Sequence, residues 1–315
     1  MLIPAAALAV AFVAAALLTP VVRFLARRGG LLDQPGERKV HDVPIPRLGG
    51  IAIAAAFFLG LAAALVVEAP GDDLRESGLL VSILLGAALT VCVGVVDDLF
   101  GMRARIKLSA QVVVAVVVAV LGLSLDHLDG PWGRLELGAW AIPVTVAWFV
   151  VVMNAINLID GLDGLASGVT LIAAAAFGTL LTAGPDAAPM AVILAAAAGG
   201  VLGFLPFNLH PATIIMGDTG SILLGFILAA AGVAVTQSEA LGAAPWVPLL
   251  VLGLPLIDTA WAIARRARSG APIFAPDKLH VHHRLLAAGL SQRAAMLVLW
   301  LVSGTLALSA VLIPH

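Results

Sequence analysis

Apolar runs of bilayer-spanning length recur from one end of this chain to the other, separated by short polar stretches. That pattern leaves few folds open. Backbone N–H and C=O groups in hydrocarbon have no water to bond, so each run must be a helix or part of a closed barrel. The runs are nearer 20 residues than 10, which selects helices. Spans are expected at 3–26, 48–68, 79–96, 108–125, 140–156, 165–183, 187–205, 220–236, 246–264 and 294–313. The predicted fold class is all-α, a polytopic membrane protein of about ten transmembrane helices, with 1–315 as a single integral-membrane domain. A composition that is 61% hydrophobic and 11% charged, with mean hydropathy +1.09, excludes an ordinary soluble protein.

Charge is sorted by loop, so the net charge of −2 says little. Of the 17 Lys and Arg, all except Arg75 and Arg134 fall on one alternating set of loops and helix ends. The positive-inside rule makes that set cytoplasmic and places both termini outside. The first apolar stretch has no basic region before it and Arg23, Arg27 and Arg28 after it, which reads as a retained helix and not a cleavable signal peptide. The single cysteine, Cys92, rules out an intramolecular disulfide and is expected to be a small core hydrophobe.

Five stretches on the predicted cytoplasmic side carry the reactive side chains: near 29–47, 97–107, 154–164, 206–219 and 265–293. The central one is Asn154-Ala-Ile-Asn157-Leu-Ile-Asp160-Gly-Leu-Asp163-Gly164. Its polar groups recur every third residue, so on a helix they would drift slowly around one stripe and could face one pocket. An ionised Asp at a bilayer centre costs roughly 2.5–3.5 kcal/mol on the insertion scale, so two beside apolar runs call for a reason. A polar loop between two helices is the plainer reading of this stretch alone.

The remaining four share its chemistry. The loop Arg38-Lys39-Val-His41-Asp-Val-Pro-Ile-Pro46-Arg47-Leu-Gly49-Gly50 joins cations to a rigid Pro-x-Pro and to glycines that admit a close neighbour, or it is a basic anchor to anionic lipid. Asp97-Asp98 are adjacent acids that repel unless a cation or proton relieves them, and Arg103, Arg105 and Lys107 follow. Asn208 precedes Gly217-Asp218-Thr219-Gly220, where Asp218 at a predicted helix start can hold a cation against phosphate, or Asp218 or Thr219 simply caps the helix. Asp277-Lys278-Leu-His280-Val-His282-His283-Arg284 has spacings unsuited to tetrahedral zinc and better suited to phosphate or pyrophosphate. Asp258 lies well inside a predicted span, with Arg265 two turns on as its expected ion partner.

These groups gather at cytoplasmic helix ends and leave the midplane almost free of charge. A transporter would place its acids near the midplane on broken helices, and an intramembrane aspartyl protease built on Asp160 or Asp218 would need two acids facing each other. Carboxylates, amides, Lys, Arg and His at an interface point instead to metal-assisted phosphoryl chemistry between a soluble anion and a lipid head group.

The ordered set Pro-Arg-Leu-Gly-Gly, Val-Asp-Asp-x-x-Gly, Asn-x-x-Asn-x-x-Asp-Gly-x-Asp-Gly, Met-Gly-Asp-x-Gly-Ser and His-x-His-His-Arg resembles the polyprenyl-phosphate N-acetylhexosamine-1-phosphate transferase family over about 38–293. The resemblance implies transfer of a sugar-1-phosphate from a UDP-sugar to a polyprenyl phosphate, with release of UMP. It implies Mg2+ as cofactor, with Mn2+ as an alternative. By this likeness Asp218 and Asn157 are metal ligands, Lys107 binds phosphate, and Asp97 deprotonates or orients the lipid phosphate with Asp98 beside it. Arg47, Asn154, Asp160, Asp163, Asn208, His280, His282, His283 and Arg284 are then substrate-binding residues. Ile215 stands where some relatives carry an aromatic that stacks on uracil.

Direct attack by the lipid phosphate is expected, with a covalent route through Asp97 as the alternative. The motifs look like the GlcNAc branch, so UDP-GlcNAc and undecaprenyl phosphate are the expected substrates. UDP-MurNAc-pentapeptide or another UDP-HexNAc is the alternative donor. The product would start lipopolysaccharide or teichoic-acid synthesis at the inner membrane. The partners are membrane lipid and these substrates, with no nucleic acid and with room for a homodimer.

Overall fold

In the computed structural model, which describes residues 2–36, 43–68, 74, 77–130, 133–181, 187–238, 245–270, 272 and 279–313, the apolar runs are helices. Residues Arg38, Lys39, His41, Arg75, Asp277 and Lys278 of the sequence reading lie outside the described residues. In chain order the helices are α1 (Leu2–Arg28), α2 (Gly49–Val67), α3 (Gly78–Phe100), α4 (Ala104–Val120), α5 (Ala141–Ile159), α6 (Leu165–Leu180), α7 (Ala187–Asn208) and α8 (Gly217–Thr236), then α9 (Trp246–Val251), α10 (Gly253–Ser269), α11 (Val281–Ala287) and α12 (Gln292–Leu312). Two small antiparallel pairs complete the described structure: β1 (Leu32–Asp33) with β2 (Ile45–Pro46), and β3 (His127–Gly130) with β4 (Gly133–Glu136). The protein is an all-α, multi-pass membrane protein.

Seven helices, α1, α2, α3, α5, α7, α8 and α12, are long and apolar enough to cross a membrane, and α6 is apolar but shorter. The other two expected spans take different forms. The one at 108–125 is α4, which starts earlier and brings Arg105, Lys107 and Gln111 into its first turns. The one at 246–264 breaks at Leu252 into α9 and α10. Pro255 has no N–H to give the carbonyl of Val251, so that helical hydrogen bond is missing at the break. Beyond the break α10 is strongly amphipathic and ends on Arg265, Arg266 and Arg268.

The bundle is built around α8, every residue of which from Thr219 to Thr236 is buried. Gly220, Gly225 and Gly232 let neighbours approach its backbone closely, and α2, α3, α5 and α6 pack around it. Its far end is tied by Gln237, which accepts from the Asp126 N–H (3.0 Å) and donates to the His127 carbonyl (2.9 Å) at the β3–β4 hairpin. Its near end carries the site described below. On one flank α1 packs against α7 and α2 through small residues. At Gly199 and Gly203 an added Cβ would lie 2.3 Å from the α1 carbonyls of Leu8 and Phe12, so only hydrogen allows the approach. Large apolar side chains such as Phe12, Leu17, Leu59, Ile257 and Leu301 are exposed, as lipid-facing positions should be. Cys92 joins them: it is exposed on α3, not in the core as its apolar surroundings suggested, because apolar character does not separate core from lipid face in a membrane helix.

Candidate active site

The N-terminus of α8 is fixed by backbone contacts from the first polar loop. The Ile215 N–H donates to the Pro46 carbonyl (3.0 Å), Gly49 N–H to Ile215 (3.0 Å) and Gly50 N–H to Met216 (2.7 Å). The Pro-x-Pro-Arg-Leu-Gly-Gly segment therefore admits another backbone, as its glycines predict. A Cβ on Gly50 would lie 2.0 Å from Gly220 N, so any side chain there would expel α8.

Asp98 supplies the cap of α8 from a distance. Its carboxylate accepts from Asp218 N–H (3.0 Å), Thr219 N–H (2.9 Å) and Thr219 hydroxyl (2.6 Å). Arg47 lies 3.3 Å from the same carboxylate. Neither Asp218 nor Thr219 caps its own helix, correcting that expectation: α8 begins at Gly217, with Asp218 already in the first turn. The adjacent acids solve their repulsion by diverging. Asp98 meets the positive end of a helix dipole, whereas Asp97 turns to Lys107 (2.8 Å) and accepts from Met102 N–H (2.6 Å).

Lys107 is the hub. Its ammonium lies 2.8 Å from Asp97 and 2.8 Å from Asp218, and donates to the Asn157 side-chain oxygen at 3.3 Å. The Asn157 amide donates to Asp218 and to Ser221 (2.8 Å). Residues from α3, α4, α5 and α8 thus close a cage of oxygens around one positive charge.

Two cavities meet beside this cage. The first, about 350 Å3, is polar and is lined by Arg47, Asp98, Asn157, Asp160, Asp163, Asn208, Asp218 and His283, among others. The second, about 530 Å3, has Leu108, Val150, Val151 and Ile263 in its walls and Lys107, Asn154, Asn157, Asp160 and His280 toward the first. Asn157, Asp160, Gly161 and His283 border both.

The evenly spaced polar stripe is split between these spaces, because α5 ends at Ile159. Asn154 faces the second cavity and donates to Gln111 (2.6 Å). Asp163 faces the first and accepts from His210 (2.8 Å) and Ala212 N–H (3.0 Å), pinning the loop before α8. Asp160, at the junction, has no hydrogen-bond or ion-pair partner among the described residues. Burial, and the negative charges of Asp218, Asp98 and Asp163, hold its carboxyl well above the usual carboxylate range. Asn208 is buried at the wall of the first cavity, accepting from the Ser167 hydroxyl (2.9 Å) and donating to the Ile214 carbonyl (3.3 Å).

The histidine loop lies over the junction. His282 is 1% exposed with neither ring nitrogen bonded to protein, and it packs on Gly161, where an added Cβ would lie 2.6 Å from its Nε2. Burial, helped by His283 and His280, lowers its pKa to about 4. His282 is near-parallel to His280 (6.1 Å between centroids) and lies 4.2 Å from His283. Arg284 is exposed on α11 and lines neither cavity, one helical step away from the groups that do. Asp258 pairs with His280 (2.8 Å) and the Val281 N–H (2.9 Å), correcting the expected pairing with Arg265. Seven residues along α10 carry a side chain up the helix and away from the loop that folds back onto Asp258.

Sequence reasoning missed Asp33 in the first cavity, Gly161 under His282 and the part played by Asp98 as a cap. Only Gly161 left a signal, as a glycine between two singled-out acids.

The site is thus a cation held by acids at one end of a multi-pass helical bundle, between a polar and an apolar cavity. The family model described as "Glycosyl transferase family 4" matches residues 80–236. A probable undecaprenyl-phosphate N-acetylglucosaminyl 1-phosphate transferase of Bacillus subtilis is 38% identical over 94% of this chain and 81% of its own length. A decaprenyl-phosphate N-acetylglucosaminephosphotransferase of Mycobacterium tuberculosis is 38% identical over 93% of this chain and 78% of its own. An undecaprenyl-phosphate alpha-N-acetylglucosaminyl 1-phosphate transferase of Yersinia pestis is 32% identical over 93% and 79%. The chain belongs to this family, the polyprenyl-phosphate N-acetylhexosamine-1-phosphate transferases that its motifs resemble.

Proposed function

We propose that this protein transfers GlcNAc-1-phosphate from UDP-GlcNAc to undecaprenyl phosphate at the cytoplasmic face of the inner membrane. The observation that carries the reading is the Asp97–Lys107–Asp218–Asn157 cage at the meeting of a polar and an apolar cavity. The polar cavity suits the nucleotide-sugar and the apolar one the first isoprene units, so two substrates of opposite solubility would present their phosphates to the same residues.

A lipid phosphate oxygen attacks the sugar-bearing phosphorus, the bond from that phosphorus to the bridging oxygen breaks, and UMP leaves with that oxygen. A phosphate monoester is largely dianionic at pH 7 and needs little base assistance. Asp97 spends both oxygens on Lys107 and Met102, which suits holding the attacking group's cation or receiving a residual proton better than attacking phosphorus itself. Lys107 draws phosphate oxygen into the cage, and Asn157, itself anchored on Ser221, orients Asp218.

The donor set fits Mg2+. No group of three or more His, Cys, Asp or Glu among the described residues is arranged as a self-sufficient metal site. Mg2+ does not require one, since one or two carboxylates and substrate phosphates complete its oxygen shell. The polar cavity sets five acids (Asp33, Asp98, Asp160, Asp163, Asp218) against Arg47, so an anionic diphosphate needs a cation to enter. Asp218 and Asn157 would hold it, with the unpartnered Asp160 in reach of the same space. Bound there, it would offset charge developing on the departing UMP.

The test is a transfer assay with purified protein, undecaprenyl phosphate and each UDP-HexNAc, read as UMP and lipid-linked sugar. UDP-GlcNAc should give both products, and UDP-MurNAc-pentapeptide neither.

A further inference from the structure

We infer that Asp258 is a positioning residue for the transfer reaction, fixing His280 as a hydrogen-bond acceptor toward the apolar cavity. The inference rests on the transferase reading and adds a residue to it. Asp258 is a buried acid in α10, and a buried carboxylate without partners would be strongly unfavourable. Both of its oxygens are used. One accepts the Val281 N–H at 2.9 Å, and the other meets His280 Nδ1 at 2.8 Å, with His280 itself only 5% exposed. An ionised carboxylate only accepts, so the imidazole proton is held on Nδ1. With that proton on Nδ1, we assign Nε2 as the bare acceptor.

That assignment matters because His280 lies in the wall of the second cavity, beside Lys107, Asn154, Asn157 and Asp160. A ring with a bare nitrogen recognises an O–H or N–H donor, not a phosphate dianion or an isoprene unit, so its partner would be a hydroxyl or amide of the nucleotide-sugar where the two cavities meet. The same pair sets the register of the loop. His280 runs near-parallel to His282, which closes on Gly161 at the cavity junction. Asp258 therefore acts on two rings through one, from a helix that otherwise contributes only Thr259, Ile263 and Arg266 to this wall.

A purely mechanical tether is the competing role, and Asp258→Asn separates the two. The Asn oxygen can still accept from Val281, while its NH2 donates to His280 Nδ1. The loop stays tied, but the proton is forced to Nε2 and the acceptor becomes a donor. The experiment uses the full-length protein in detergent, 15N-labelled at histidine, with thermal unfolding and steady-state transfer from UDP-GlcNAc to undecaprenyl phosphate. In wild type, His280 should show the Nδ1–H tautomer, and D258N should switch it to Nε2–H. D258N should unfold within about 2 °C of wild type and lose roughly 10- to 100-fold in kcat/KM. That loss should not add to the loss in His280→Ala.

Activity of D258N within twofold of wild type, or additive losses in the double variant, overturns the inference. Should D258N fail to fold, wild type alone decides: an Nε2–H or doubly protonated His280 overturns it. If wild type transfers nothing from any UDP-HexNAc, the transferase reading fails, while the tautomer and its switch in D258N still report on the Asp258–His280 pair.

Discussion

The ammonium of Lys107 lies 2.8 Å from the carboxylate of Asp218, a residue on a different helix that the family likeness marks as a metal ligand. The positive charge that these acids require is thus supplied by the protein itself before any substrate or ion arrives. On the proposed reading, incoming phosphate would compete with the carboxylates for Lys107, and a divalent ion held by Asp218 and Asn157 would offset the charge that Lys107 now balances. Lys107→Met should therefore abolish the balance in both states. Transfer should fall by about 100- to 1,000-fold, the range seen when one preorganised charge partner is removed. Lys107→Arg should not restore it, because a planar fork cannot sit as a point charge between three oxygens. UMP release at saturating substrates checks both variants, and near-normal turnover in K107M would remove Lys107 from the chemistry.

Asp97 and Asp98 are neighbours with separable roles. Asp98→Asn puts an NH2 where the carboxylate accepts three donors from α8 and one from Arg47, and each unsatisfied buried donor costs about 1–3 kcal/mol, so both stability and activity should drop. Asp97→Asn should unfold near the wild-type temperature yet turn over about 100- to 10,000-fold more slowly. Residual transfer with unchanged stereochemistry at phosphorus fits direct attack, whereas complete loss fits a covalent aspartyl intermediate. Thermal unfolding of both variants alongside their rates makes the distinction.

Gly161→Ala should push His282 off the junction of the two cavities, since its Cβ would come 2.6 Å from the ring. The expected signature is a KM for UDP-GlcNAc raised by roughly tenfold, about 1.4 kcal/mol, with a smaller change in kcat. Equal KM values for variant and wild type would show that the loop does not need this contact.

His282 gives a pH dependence of stability with a definite sign. Its folded pKa is about 4 against 6.5 for the free side chain, so between those values the unfolded chain binds the proton more readily. Above pH 6.5 both states are neutral and the residue contributes nothing to the slope. Acidification from 6.5 to 4 should destabilise the fold by roughly 3 kcal/mol through this residue alone. The difference in unfolding temperature between wild type and His282→Gln should accordingly widen in the variant's favour as pH falls through that window. Parallel curves would contradict the assignment.

The spans were legible because hydrocarbon demands helices of a set length, and eight of the ten expected runs correspond to single helices of similar bounds, α4 starting early and α9–α10 breaking. The break is visible only in hindsight, from Gly253 and from Pro255 two residues on. Which face of a helix meets lipid was not legible, as Cys92 shows, since apolar side chains serve both. Which polar residues line the two cavities was largely readable from the sequence, Asp33 excepted, but not their pairings. Asp258 found His280 and not Arg265, and Asp98 found the end of α8, because both partners are distant in sequence and the return path of the chain is encoded by no local periodicity. Arg284 was grouped with its histidine neighbours by sequence alone, and its helix turns it outward.

The central claim is that one oxygen cage serves both substrates and a divalent ion. It is tested most directly by mixing purified protein, UDP-GlcNAc and undecaprenyl phosphate with Mg2+ or with a chelator, and measuring UMP and lipid pyrophosphate-linked GlcNAc together. The account predicts equal amounts of the two products with Mg2+, neither with chelator, and restoration on adding the ion back. Undiminished product in the chelated reaction, or UMP released without lipid phosphate present, would contradict it.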